Sequence, residues 1–220
     1  MSVHKDLGEA TEQLQKSLDK IGAWAQKWKI KMNASKSTYV IFTTRRVTNT
    51  YVTIDNEIIP TADEAKYLGM HLDKKLTWKA HLTAKRKQID LKLRKLYWLL
   101  GYKSPLSLHN KLLLYKTAII PIWTYGIQLW GCAKKSNIDI IQRSHNKALR
   151  TITAAPWFVS NATLHNDLRI GYVNDYVKQY ANSHCKRLQQ HTNRLTTNLL
   201  NTEIPRRLKR NKPQDLVQDN

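Results

Sequence analysis

The segment NASKSTYVIF places Lys36 after a predicted helix and turn and just before a predicted strand. A lysine held at such a junction, beside a triphosphate, would neutralise charge or protonate a departing pyrophosphate. A lone lysine there is ordinarily a solvated surface charge, and residue type alone does not separate the two. The acids that such chemistry also needs are not in view. Two-metal phosphoryl transfer requires at least two carboxylates close together. No Asp-Asp, Asp-x-Asp or Glu-x-Asp falls on a predicted strand or strand turn, and Asp63-Glu64 sits in a polar loop after Pro60. The eight histidines form no HxxxH or HxH pair, and Cys132 and Cys185 stand far apart, which argues against a zinc site. There is no glycine-rich phosphate loop and no GxSxG elbow. The chain as given carries no self-sufficient active site.

Binding chemistry is better represented. Lys74, Lys75, Lys79, Lys85, Arg86, Lys87, Lys92, Arg94, Lys95 and Lys103 stand in one stretch against a single acid, Asp90. On a helix Lys85, Lys92 and Lys95 share a face, beside an apolar face of Leu82, Ile89, Leu93 and Leu96. Such a helix docks on a core and presents cations to a phosphate backbone. A solvated helix face is the plainer reading, but few acids are available for i,i+4 pairing. Arg206, Arg207, Lys209, Arg210 and Lys212 form a second, weaker cluster, which could contact nucleic acid or serve as a nuclear-import address. The seven tryptophans mostly fall on apolar faces, where core packing explains them better than base stacking.

The whole composition points the same way. Thirty-seven Lys and Arg against 16 Asp and Glu give 220 residues a net charge of +21. A folded protein this basic repels itself unless a polyanion neutralises it, and nucleic acid is the first candidate, ahead of an anionic membrane surface. Two cysteines make no disulfide framework, which favours a reducing, intracellular compartment, nucleus or cytoplasm. MSVHKDLGEATEQLQ has no apolar signal core. The uncharged run Thr117–Ala133 is shorter than the roughly 20 apolar residues of a span and contains Pro121, Gly126 and Gln128, so a buried helix is expected and no membrane partner.

The elements that must position these residues are legible from periodicity. Leu7, Leu14, Leu18, Ile21, Ala25 and Trp28 mark one face of a helix from about Lys5 to Lys29. Strands are predicted at Thr38–Thr44, at Tyr51–Ile54 and Glu57–Ile59 around an Asp55-Asn56 hairpin turn, and at Lys66–Asp73, where Gly69 permits a bulge. From Trp78 the pattern is helical. One long helix closes at Gly101, another starts at Ser104-Pro105, and Pro121 kinks or restarts it. Ser136-Asn137 caps the next, which ends at Ala155-Pro156. Asn161–Leu168 and Val173–Leu195 read as two more. The tail from Glu203 is polar and predicted to lack structure. The fold class is thus α+β, a small helix-plus-antiparallel-strand unit (1–75) followed by an all-helical unit (76–200) and a basic tail (201–220). So few strands cannot cover both of their faces, so the first unit looks like the end of a larger α+β domain.

Four blocks together carry a resemblance: WAQKWKIKMNASKSTYVIFT, KYLGMHLDKKLTWKAHL, YKTAIIPIWTYGIQLWG and IQRSHNKALRTITAAPWFVSN. In this order, over almost the whole chain, they resemble the C-terminal part of reverse transcriptases from jockey-like non-LTR retrotransposons of insects. The resemblance implies a right-hand polymerase, with the first unit as the end of the palm and the helices as the thumb. It implies that Lys36 lies near the incoming nucleotide, with Asn33 as a positioning residue. It implies that Tyr67, Leu68 and Gly69 lead from palm to thumb, where the primer end is held. It also implies an RNA template and a DNA primer as partners, bound through the duplex backbone.

The sequence departs from that pattern in one respect. The Tyr/Phe-Ala-Asp-Asp turn that holds catalytic magnesium should lie shortly before the first helix, and Met1 falls just beyond it. Mg²⁺ is therefore implied for the complete polymerase, and no cofactor for this chain. The chain is expected to be a fragment, a decayed copy or a truncated gene product, inactive alone and lacking the rest of the palm and the fingers. A repurposed, non-catalytic nucleic-acid-binding protein built on the thumb is the alternative, as is a basic component of a ribonucleoprotein.

Overall fold

Asp6 opens the first helix, its carboxylate accepting the Glu9 amide, and the computed structural model describes the chain over residues 2–45, 50–197 and 213–216. The chain divides into two units, Met1–Leu76 and Thr77–Asn220. In the first, α1 (Leu7–Lys27) ends where Lys29 turns left-handed at φ 54°. Only part of its predicted stripe is used. Leu14 and Leu18 pack on a core of Tyr39, Val52, Ile54 and Ile59, joined by Met32 and Ile41. Ile21 and Trp28 are exposed.

That core is organised by a hairpin. β1 (Thr53–Ile54) pairs antiparallel with β2 (Glu57–Ile58), and Asp55 and Asn56 both take positive φ, 49° and 64°, as a two-residue type I′ turn requires. The free edge of β1 is closed by a side chain. Gln15 on α1 accepts from the Thr53 amide at 2.9 Å and donates to the Thr53 carbonyl at 3.0 Å, standing in for a neighbouring strand.

Two strand predictions are corrected. Lys66–Asp73 is not one bulged strand. It is most of a second hairpin, β3 (Glu64–Tyr67) against β4 (Met70–Asp73), because Leu68 and Gly69 adopt φ 46° and 75° in succession and reverse the chain. Thr38–Thr44 forms no strand. It makes one parallel bridge, Tyr39 to Thr61, and a single bond from the Thr43 amide to the Lys74 carbonyl. Its neighbours change within four residues, so no ladder propagates.

The second unit is helical. α2 (Lys79–Lys95) begins after Trp78, at φ 63°. The expected single helix to Gly101 breaks at Leu96, and α3 (Tyr97–Leu100) is a separate turn. α4 (Leu108–Ala118) starts later than Ser104-Pro105. The Ser107 hydroxyl caps it by accepting the Asn110 amide, while Ser104 holds the preceding turn. α5 (Ile120–Thr124) restarts at Pro121, and Gly126, at φ 68°, redirects the chain into α6 (Ile127–Trp130). α7 (Lys135–Thr153) opens one residue ahead of the predicted Ser136-Asn137 cap. Asn137 instead donates to the Thr77 carbonyl at 2.8 Å. α8 (Asn161–Leu168) forms where predicted. The helix expected over Val173–Leu195 ends at Gln189 as α9 (Val173–Gln189), and α10 (Arg194–Thr197) follows. Within the tail predicted to lack structure, Pro213–Leu216 form a 3-10 turn packed on α6 and α9. The cluster Arg206–Lys212 lies outside the described residues.

α7 is the central helix, lying against α2, α4, α8 and α9. Leu82, Ile89, Trp123, Ile141 and Leu149 are almost fully buried around it, each such side chain contributing on the order of 2 kcal/mol. Among the described residues no helix is long and apolar enough to cross a membrane.

Two polar arrangements hold this unit's corners. At the junction of α7, α8 and α9, His145 lies between the Tyr115 hydroxyl, which hydrogen-bonds Nδ1, and the Gly171 carbonyl, 3.1 Å from Nε2. His165 is buried beside it, with Nδ1 2.7 Å from the Ile170 carbonyl. At the α7–α8 loop, Arg150 donates to the Pro156 carbonyl at 3.1 Å, to the Asn161 side chain at 3.1 Å and to the Val159 carbonyl. This clamp fixes a loop whose tip, Trp157, is 90% exposed. Arg150→Met keeps the stem and removes the fork. It is expected to cost about 2–3 kcal/mol, because hydrogen bonds from a charged donor are the stronger kind, and to raise hydrogen exchange across residues 154–160. Unchanged exchange there would show that the loop holds itself.

The tryptophans divide differently from the core reading. Trp78, Trp123 and Trp130 are buried, whereas Trp24, Trp28, Trp98 and Trp157 are exposed. An apolar neighbour in sequence does not place a ring inside where the helix ends or turns outward.

Candidate nucleic-acid interface

The site residues read from sequence fall in both units. In the first, Asn33 caps a short 3-10 turn, Ala34–Lys36. Its side-chain oxygen accepts the Lys36 amide at 2.9 Å and the Ser35 hydroxyl at 2.7 Å. Asn33 thus fixes the backbone from which Lys36 projects, and Lys36 itself is exposed. Tyr67, Leu68 and Gly69 occupy the tip of the β3–β4 hairpin, with Tyr67 and Leu68 largely exposed. Lys74 is engaged by Asp63 at 2.7 Å, and Lys75 is exposed.

The second unit holds the basic helix. Its buried side carries His81, Leu82, Lys85 and Ile89. Lys85 therefore departs from the expectation that it faces outward with Lys92 and Lys95. It is 9% exposed, with Nζ 4.8 Å from the centre of the Tyr125 ring. Its azimuth is that of the core face, so its stem packs inside and its ammonium rests on an aromatic face. Lys92 shares that azimuth but is exposed near the helix end.

The outward stripe is a different set. Lys87, Leu91, Arg94 and Lys95 recur at intervals of four, seven and eight residues, on the side opposite the core, and all are exposed. Lys79 and Arg86 are exposed on the flank, where Arg86 faces Asp90 at 3.7 Å. Lys92, Arg94 and Lys95 occupy the last turn of α2, where the negative end of the helix dipole favours cations. The sequence reading gathered these cations into one stretch and gave the outward face to Lys85, Lys92 and Lys95, which is wrong for Lys85. The discriminating signal, a cation stripe two turns long opposite the Leu82–Ile89 stripe, favours Lys87 and Arg94 over Lys85.

The sequence reading also missed a buried cation. Lys111 on α4 is 6% exposed, and its Nζ donates to the Gly101 carbonyl at 2.8 Å. It satisfies the carbonyl that ends α3 and so holds the connection from α3 to α4.

Among the described residues no group of three or more His, Cys, Asp or Glu gathers where an ion could be held. The magnesium implied for a complete polymerase finds no matching donor set among these described residues.

Comparison with known proteins gives the kinship directly. The chain is 42% identical over 209 residues to a probable RNA-directed DNA polymerase from transposon X-element of Drosophila melanogaster, covering 95% of this chain and 23% of that protein. It is 38% identical over 204 residues to a probable RNA-directed DNA polymerase from transposon BS of the same species, covering 92% of this chain and 22% of that protein. It is 34% identical over 218 residues to the RNA-directed DNA polymerase from mobile element jockey of Drosophila funebris, covering 95% and 24%. The resemblance carried by the four blocks is thereby borne out, and the chain spans less than a quarter of each of these relatives, as a C-terminal part would. No family model matches, and no solved structure matches.

Proposed function

We propose, from this homology to the RNA-directed DNA polymerases of jockey-type transposable elements, that the chain is the end of the palm plus the thumb of such a polymerase and grips the template–primer duplex by its phosphates. The observation that carries the reading is the outward stripe of α2, where Lys87, Arg94 and Lys95 stand opposite a face locked into the core. A helix so anchored presents fixed cations to a backbone, and backbone contacts position a duplex without reading its sequence. Lys36, held by Asn33, lies near the incoming nucleotide in this reading, and the β3–β4 hairpin tip lies near the primer end. The carboxylates for phosphoryl transfer come from parts of the polymerase outside these 220 residues.

The test is direct. The purified chain should bind labelled RNA–DNA template–primer duplexes of unrelated sequence with similar affinity. Binding should fall steeply and linearly on a log–log plot against salt. With nucleotides and Mg²⁺ it should extend no primer. Salt-insensitive binding, or a strong preference for one sequence, would refute the phosphate grip. Primer extension by the chain alone would refute its non-catalytic assignment.

A further inference from the structure

Beyond the stripe, α2 runs into three exposed rings that are close in sequence. Tyr97, Trp98 and Tyr102 are 53%, 71% and 62% exposed, and they follow directly on Lys92, Arg94 and Lys95, with Lys103 beyond. Mobile apolar side chains would be unremarkable, but the backbone that carries these is held. The Gly101 amide donates to the Tyr97 carbonyl at 2.7 Å, closing α3 on itself. Gly101 is buried against the Tyr97 ring so closely that a Cβ there would meet Tyr97 Cζ at 3.2 Å and the Tyr97 carbonyl oxygen at 2.7 Å. The Gly101 carbonyl in turn accepts both the Lys111 ammonium, at 2.8 Å, and the Ser104 amide, at 3.1 Å. Three rings are thus presented to solvent from a backbone pinned by a buried cation, and Lys103 Nζ lies 5.7 Å from the centre of the Tyr102 ring.

The charge around the rings says what would cover them. No acid occurs in the sequence between Asp90 and Asp139, a stretch that includes both the rings and their cations. A protein partner seated among these cations would need acids of its own beside an apolar face. A polyanion whose own flat faces are free satisfies both demands at once. We propose that Tyr97, Trp98 and Tyr102 form a stacking platform for unpaired bases of a single strand, whose phosphates are held by Arg94, Lys95 and Lys103. Rings of this kind bind any base, because every base has a π-face, and the cations track the backbone. A duplex hides those faces in its own stack, so the platform engages single-stranded nucleic acid beside the duplex grip. It thus rests on the phosphate-binding reading of α2 and adds a second class of substrate to it.

The full chain is titrated with a short labelled single-stranded RNA, with an abasic strand of equal length and charge, and with a duplex. The wild type should bind the base-bearing strand roughly tenfold more tightly than the abasic one, the scale of one good base–aromatic stack. Trp98→Ala and Tyr102→Ala should each remove several-fold of that preference while leaving the abasic strand and the duplex unchanged. Trp98→Phe should restore most of it. Since Trp98 is largely exposed, matched thermal unfolding will confirm that the variants fold. Equal wild-type binding to both single strands overturns the platform and leaves the phosphate grip standing. Equal losses by Trp98→Ala on both strands also overturn it, as does loss of self-association with no change in strand binding. Failure of the wild type to bind any of the three probes overturns platform and grip together.

Discussion

Acidification from pH 7 to pH 4 is expected to remove about 3 kcal/mol from the stability of the helical unit. The cause is His145, buried where α7 meets α8 and α9. Burial, and then the neighbouring His165, push its pKa down from the ordinary 6.5 to about 4, against a smaller upward pull from the Gly171 carbonyl. The geometry suits a neutral ring, with Nε2–H donating to Gly171 and Nδ1 accepting the Tyr115 hydroxyl. Tyr115 remains a donor because burial, and then Tyr176, raise its own pKa. Above pH 6.5 the imidazole is neutral in both the folded and the unfolded chain, and the full stability is present. Between 6.5 and 4 the unfolded chain takes up a proton that the native state refuses, so stability falls as pH falls, and the loss levels off below 4. A depression of about 2.5 units corresponds to about 3 kcal/mol. Urea titrations followed by tryptophan fluorescence measure it. His145→Gln should be less stable at pH 7 and should lose most of the pH dependence within this window. The same slope in variant and wild type would assign the acid sensitivity to other groups.

The sequence carried the helices better than the strands, for a physical reason. A helix such as α7 satisfies its backbone locally, so the stripe Ile138, Ile141, His145, Ala148, Leu149 and Ile152 predicts both the element and its buried face. A strand exists only if another chain segment pairs with it. Thr38–Thr44 has the composition of a strand but makes only one bridge near residue 61 and one bond to Lys74, which no local pattern records. The Lys66–Asp73 reading failed on turn chemistry. Gly69 alone permits a bulge or a close backbone approach within one strand, whereas Leu68, a residue that rarely adopts positive φ, joins it to make a turn. In the candidate site, Lys36 stood out by its place between a helix and a strand and Asn33 by the family resemblance, while the cap between them is seen only in the structure. Lys85 and Lys111 show the limit most plainly. Whether a lysine is a solvated charge or a buried donor depends on which carbonyl or ring stands within reach, here Gly101 and Tyr125, and sequence spacing does not carry that.

The distinction between buried and exposed lysines sets the variant with the largest expected effect on binding. Replacing Lys87, Arg94 and Lys95 together by Gln should flatten the salt dependence of duplex binding by about 2.7 log–log units if all three touch phosphate, each contact releasing roughly 0.9 counterion. The loss should be nearly equal across unrelated sequences, because these cations contact the backbone and not base edges. All three are exposed, so the fold should be retained. Lys85→Gln supplies the contrast. It removes a cation from beneath Tyr125 and should lower stability by about 1–2 kcal/mol, the scale of a partly desolvated cation–π contact, while leaving the slope of the surviving protein near the wild-type value. Titrations of both variants on several duplexes at several salt concentrations decide between the faces. If the outward triple variant keeps the wild-type slope while Lys85→Gln flattens it, the duplex lies against the Tyr125 side of α2 and the outward stripe is a solvated surface.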